Sequence, residues 1–386
     1  TGAAYSGMFG FGVVMALLGA VLPLLARRLE FDLSRAGDLF LVMNAAMLIT
    51  TLALGPFVDR FGHKAPLIIA PLFVAGGLSL ISRVIAFNGL AVALILLGIG
   101  GGALNQVTNT LVADLYEDPY RKRAALNVLG IFFGIGALFV PFTIGSLLSY
   151  LGLGKILYLA IALSLIPTLF SIPLAFPAPR QSEGIPFAEV GRLARQPLVL
   201  TLSSLLFFES GNEFIVGGYI TTYLTRDLQA TISVASYLLA AYWGALMLSR
   251  MILGRAMGIS AGSVILASAL AVVASMTLLL TVRSIPVAAL SVILLGLSIA
   301  TIFPAVLGIA GSSYPGHSGT VFGILIGIAL AGGMILPWLV GKFAGSWGIR
   351  TALFLVLLNA MAVFGFQLLA ETILRRRKNN VLEHST

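Results

Sequence analysis

Long apolar runs dominate the order of polar and apolar positions. Twelve of them lie near 5–26, 37–58, 66–87, 89–114, 124–150, 155–176, 197–224, 231–254, 260–281, 286–311, 317–341 and 351–374. Each has about 18 residues or more, enough to cross a hydrocarbon layer about 30 Å thick as a helix. Backbone groups in lipid must satisfy one another, and the two-residue alternation of a membrane barrel is absent, so the runs are read as helices. The expected fold is therefore an all-α membrane protein with twelve transmembrane helices in two pseudo-symmetric six-helix bundles. The first run has no basic stretch before it and no small-residue cleavage site, which reads as a retained span.

The polar interval 177–196, PAPRQSEGIPFAEVGRLARQ, divides the spans six and six. This predicts an N-terminal bundle over 1–176, a cytoplasmic linker over 177–196, a C-terminal bundle over 197–374 and a basic tail over 375–386. Within the linker, IPFAEVGRLARQP reads either as a short amphipathic helix at the membrane surface or as plain connection. An internal repeat crosses the divide. VPFTIGSL (140–147) matches LPWLVGKF (336–343), aligning Pro141 with Pro337 and Gly145 with Gly341; Gly62 meets Gly258 at the same shift. Parallel six-helix repeats are a means of placing a cavity between two halves.

Composition sharpens this reading. Hydrophobic residues make up 59% of the chain and charged residues 10%, where a soluble chain carries roughly 25% charged. With no cysteine, disulfides and thiolate metal sites are excluded. His63, His317 and His384 lie at loops or ends, so no histidine metal cluster and no cofactor is expected. The net charge of +9 does not point to nucleic acid, because the basic residues are scattered among short loops. If the 59–65 loop is cytoplasmic, its side carries 14 Lys and Arg, among them Arg60, Lys64, the 121–123 run, Arg250, Arg255 and the 375–378 run, against nine on the other, which predicts cytoplasmic termini; a bacterial inner membrane is the expected location.

Between the second and third runs stands GPFVDRFGHK, residues 55–64. It resembles the signature loop of the major facilitator superfamily, matching at Gly55, Asp59, Arg60, Gly62 and Lys64, with His63 where an arginine is usual. A degenerate copy, SRMILGRAMG (249–258), keeps Arg250, Gly254 and Arg255. The resemblance implies a cytoplasmic gate that latches and releases as the halves rock. Asp114, Arg121 and Arg123 sit at the same membrane edge and are read into that gate.

Two further stretches narrow the resemblance. GGALNQVTNTLVADL (101–115) with RAALNVLGIFFGIGALFVP (123–141), and SGNEFIVGGYITTYL in the seventh run, resemble the fucose-type sugar:proton symporters. The matches are Asn109, Asn127, Phe132, Phe133, Gly134, Gly136 and Pro141, then Gly211, Glu213, Gly217, Gly218, Tyr219 and Tyr223. That family carries acidic residues on helices one and four. Here those positions are Gly19 and Asn105, so proton coupling does not carry over to them.

Attention therefore moves to Glu209 and Glu213, four apart on one face and within about 5 Å of the middle of the seventh run. A charged carboxylate there costs several kcal/mol and a protonated one far less, which suits a group that loads and unloads a proton. The pair is expected to titrate as a unit, with Glu209 the sharper coupling candidate and Glu213 also fitting a substrate-binding or gating role. Structural hydrogen bonding between helices is the alternative use for both. Asn105, Gln106, Asn109 and Thr110 form polar rows on helix four that offer the donors and acceptors a sugar needs. Asn127, Asn212 and Asn359 are further substrate candidates, and Tyr242 and Trp243 could stack on a sugar ring.

The function expected is alternating-access transport of a small polar solute, a monosaccharide first, coupled to protons and carried out by a monomer. Efflux of an amphipathic compound and sugar uniport are the alternatives, and a cavity lined mainly by Phe and Met would favour efflux. No nucleophile, base and orienter set supports an enzyme, and no signalling domain supports a receptor.

Overall fold

The computed structural model describes residues 1–116, 118–176, 187–253 and 260–383. Its elements are all helices: α1 Gly2–Arg28, α2 Leu33–Phe61, α3 Lys64–Arg83, α4 Phe87–Leu115, α5 Pro119–Ser164, α6 Ile166–Ser171, α7 Phe187–Ala194, α8 Pro197–Arg226, α9 Ile232–Leu253, α10 Ala261–Thr281, α11 Ile285–Ser313, α12 Ser318–Trp347, α13 Ile349–Ala352 and α14 Phe354–Glu383. Eleven continuous helical stretches among the described residues are long and apolar enough to cross a membrane. One of them, Ala124–Ser171, holds two of the twelve sequence runs. Gly152, with φ 71° and ψ 160°, breaks it at the predicted place, in a backbone region that glycine enters at no steric cost. The chain is a multi-pass membrane protein with twelve spans.

Local chemistry sets several helix starts. Asp32 Oδ1 accepts the Arg35 amide at 2.8 Å to cap α2, and Asp118 Oδ2 accepts the Arg121 amide at 2.8 Å ahead of Pro119 at the start of α5. The linker segment 187–194 is helical, so of the two readings of the interval the helix is the one formed. Leu193 of α7 is buried, and Glu189 pairs with His317 before α12 at 2.6 Å.

Close packing rests on small residues, as it must where lipid is as apolar as the side chains. The glycine run 98–102 lies inside α4 and faces neighbouring helices: a Cβ on Gly100 would meet the Ala70 carbonyl of α3 at 2.8 Å, and one on Gly101 would meet Val14 of α1 at 2.9 Å. The two repeat-related glycines do matching work across the interval 177–186. Gly145 of α5 lies against the Tyr237 ring of α9, and Gly341 of α12 against Gly37 of α2. Gly19 of α1 is in contact with the backbone of Gly217 and Gly218 on α8. A Cβ there would overlap the Gly217 carbonyl, so Gly19→Val is expected to abolish solute uptake while the protein still inserts, as read by transport and membrane yield side by side.

Candidate functional site

The α1–α8 contact at Gly19 organises the centre. Thr221 of α8 donates to the Gly19 carbonyl, and Tyr219 donates to the Pro337 carbonyl of α12 at 3.0 Å while its ring packs on Phe40 of α2 at 4.8 Å. Just beyond, Asp38 of α2 accepts from Lys342 Nζ at 2.9 Å and from the Trp338 indole N–H at 3.0 Å, both on α12. Gly37, Gly341 and Gly345 bring the two backbones together behind this clasp. It lies at the end of the molecule that carries the 29–32 loop. Toward the other side α12 keeps one face open, since a Cβ on Gly319, Gly323 or Gly327 would meet nothing within 4 Å, while Val321 and Leu325 are buried on the opposite face.

The clasp can be tested cleanly because the chain has no cysteine of its own. With Met43→Cys as reporter, Asp38→Ala is expected to raise labelling from the 29–32 side several-fold. The exchange of Asp38→Lys with Lys342→Asp should return it toward the starting rate.

Under the clasp, α1, α2, α8 and α9 enclose a narrow pocket lined by Met15, Phe40, Met43, Phe214, Gly217, Gly218 and Trp243. In this conformation it has room for about one water. Trp243 is 1% exposed and packs edge-on to Phe133, yet its indole N–H has no protein acceptor. A buried donor without a partner costs about 1–3 kcal/mol, which an acceptor placed in the pocket would remove.

The two glutamates of α8 have different surroundings. Glu213 is held by Arg250 of α9, with Arg250 Nη2 3.1 Å from Oε2 and 3.4 Å from Oε1, and its backbone carbonyl accepts from the buried Tyr242 hydroxyl at 3.3 Å. Glu209 is 1% exposed, and neither of its oxygens has a hydrogen-bond partner; the adjacent Ser210 hydroxyl is close without making a bond. It lies in a cleft between α8, α10, α11 and α14 lined by Asn212, Ala269, Val272, Ile299, Ile302, Ala360 and Val363, with no room for a water. On α8, residues 209 and 212 lie on nearly the opposite face from 214, 217 and 218, with 213 between them.

The other predicted residues disperse. Asn359 Nδ2 donates to Asn212 Oδ1 at 2.9 Å and Asn212 Nδ2 to the Val356 carbonyl at 3.3 Å, a buried amide pair beside Glu209. Asn109 Nδ2 donates to Asn105 Oδ1 at 3.1 Å and to the Asn105 carbonyl at 2.8 Å, Gln106 lies near Gly55 of α2, and Asn127 is exposed. None of the helix-four amides is in the pocket lining, and of the predicted substrate residues Trp243 alone is. At the other membrane edge Gly62 ends α2, and His63 Nε2 lies 3.5 Å from Asp114 Oδ2. Arg60 stacks over Phe61, while Lys64 and Arg121 are exposed. Arg255 lies outside the described residues, as do the side chains of Asp59 and Arg123.

Sequence reasoning missed the pocket's Met15, Phe40, Met43 and Phe214, and also the Asp38–Lys342–Trp338 clasp. The apolar four carry no signal in an apolar chain. The clasp did leave one, since Asp38 and Lys342 are isolated charges just inside the ends of two runs.

Comparison with known proteins bears on both fold and function. The family model of the Major Facilitator Superfamily matches residues 4–208. The chain is 25% identical over 364 residues to the fosmidomycin resistance protein of Escherichia coli strain K12, covering 91% of this chain and 89% of that one. It is also 25% identical over 364 residues to a glucose/galactose transporter of Brucella abortus biovar 1, covering 89% and 87%. Among solved structures it resembles the fucose:proton symporter FucP of E. coli, with a TM-score of 0.65, 18% identity and coverage of 96% and 98%. With twelve apolar helices, the signature loop at 55–64 and the family match over more than half its length, this chain belongs to the Major Facilitator Superfamily of transporters.

Proposed function

We propose that the protein is a proton-coupled transporter of a small polar solute, a monosaccharide, working by alternating access between helices 1–176 and 197–374 in a bacterial inner membrane with both termini cytoplasmic. The observation that carries this reading is Glu209. An ionised carboxylate without a hydrogen-bond partner in a cleft with no room for water is too costly to persist, so in this state Glu209 holds a proton. Glu213, one turn along and ion-paired with Arg250, stands between the cleft and the pocket.

The pocket supports a sugar through its aromatic walls. The apolar C–H face of a pyranose packs on Phe40, Phe214 and the Trp243 ring, and a ring or hydroxyl oxygen accepts the free indole N–H. The kinship with a glucose/galactose transporter points the same way. Efflux of an amphipathic compound is the second reading: four of the seven lining residues are Met or Phe and no helix-four amide is among them, the lining expected for efflux, and the likeness to a fosmidomycin resistance protein points the same way.

Proteoliposome uptake tests the proposal. A panel of labelled hexoses and amphipathic compounds is offered with and without an imposed pH gradient. Gradient-driven accumulation of a hexose is the expected result, and a further drop on Trp243→Ala of about 10-fold in apparent affinity follows from losing the ring and its donor. Accumulation that ignores the gradient would sink the coupling, and accumulation of amphipathic compounds alone would give the second reading the field.

A further inference from the structure

If Glu209 carries the proton, the proton needs a way in, and the solute pocket does not touch the Glu209 cleft. The ionisable groups around Glu209 among the described residues are Glu213, one turn along its own helix, and Arg250 and Tyr242 of α9, both bonded to Glu213. From α10, α11 and α14 the cleft receives only apolar side chains. Beyond that apolar collar, however, stands a second buried orphan: Gln367 of α14 is 0% exposed and its Oε1 has no partner.

Gln367 belongs to a stripe. Asn359, Val363, Gln367 and Glu371 recur every four residues on α14 and so lie along one face. Val363 lines the Glu209 cleft. Gln367 Nε2 donates to Glu371 Oε1 at 3.3 Å, and Glu371, 29% exposed, lies 3.8 Å from Arg375 at the basic end of the helix. Opposite, Gly262 opens α10 without a side chain, which lets both groups close on it; a Cβ there would stand 2.7 Å from Glu371 Oε1 and 2.8 Å from Gln367 Nε2. On the far wall, Ser268 of α10 and Thr301 of α11, the chain neighbours of Ala269 and Ile302 in the cleft lining, share a buried hydrogen bond at 2.6 Å.

We propose that Glu371, Gln367 and the Ser268–Thr301 pair form a proton path from the cytoplasmic end of α14 to Glu209, separate from the route of the solute. This rests on the reading of Glu209 as the proton carrier. Amide and hydroxyls both accept and donate, and the Glu371 carboxylate accepts a proton and donates once protonated; the orphan oxygen of Gln367 is the group placed to hold a water between them. Gln367 is a positioning residue in this scheme, since it neither touches the solute nor keeps the proton. Two faces of α8 then divide the labour, with protons arriving behind it and solute in front.

The test needs no knowledge of the solute. Protein in bilayer films is moved from H2O to D2O, and the infrared carbonyl band of a protonated carboxyl is followed as it shifts on deuteration. Glu209→Gln should remove that band, which assigns it. Gln367→Leu and the double substitution Ser268→Ala with Thr301→Val should each slow its exchange by 10-fold or more, and Gln367→Glu should exchange as fast as the unaltered chain. A band that Glu209→Gln leaves in place overturns the reading of Glu209 itself. A band that Glu209→Gln removes but that exchanges at the unaltered rate in both blocking variants, or that Gln367→Glu slows equally, overturns the path alone.

Discussion

Glu209→Gln is expected to lose the pH-driven accumulation of solute by 10-fold or more while exchanging labelled for unlabelled solute across the membrane at close to the starting rate. The amide copies the shape and neutrality of the protonated acid, so the cleft of Ala269, Val272, Ile299 and Ile302 keeps its packing. What is lost is the ability to give the proton up. Solute exchange at equal concentration needs no such release, because the loaded carrier can return loaded. Glu213→Gln should behave differently. It strips Arg250 of its counter-charge at the residue before Phe214 of the pocket lining, so exchange and accumulation should fall together. A Glu209→Gln protein that still accumulates solute against a gradient would remove the basis for assigning the proton to that residue.

The second large effect concerns the ion pair. Arg250→Leu leaves Glu213, 10% exposed, without its partner. Severing a fully buried pair costs about 3–5 kcal/mol, and with one-third of the Arg250 side chain exposed the loss here should be about 2 kcal/mol. Thermal unfolding of the detergent-solubilised protein should show a clear fall in midpoint. Adding Glu213→Gln should recover most of it, since the double variant buries no lone charge. Non-recovery would mean that Arg250 stabilises the fold through its stem or through groups other than Glu213.

The sequence made the twelve spans legible because a charge-poor run of 18 or more residues has few physical uses besides crossing lipid. Even the double helix over 124–171 was separable, since YLGLGK around Gly152 lowers helix propensity between two apolar stretches. Buried acids were legible for the same reason: Glu209 and Glu213 stand out against Leu, Phe and Gly, and both are buried in the structure. Their separate environments were not. Which side of α8 faces α10, α11 and α14 and which faces the pocket depends on how the helices are rotated against one another, and an all-round apolar helix carries no stripe to say so. Asn105 and Asn109 illustrate the same limit. An amide on a membrane helix satisfies itself with a neighbour as readily as with a solute, and here the two bind each other. Trp243 was one of several candidates in the sequence; its unaccepted N–H at the pocket wall sets it apart only once α1, α2 and α8 are in place around it.

The central claim is that solute and proton move together through a carrier whose proton sits on Glu209. It is tested most directly by a pH electrode in a weakly buffered suspension of proteoliposomes, with a solute gradient imposed and no other driving force. The medium should turn alkaline as solute enters, at a rate that follows solute entry, and Glu209→Gln should give solute entry with no pH change. Solute entry without alkalinisation in the unaltered protein, or alkalinisation that persists in Glu209→Gln, would contradict the account.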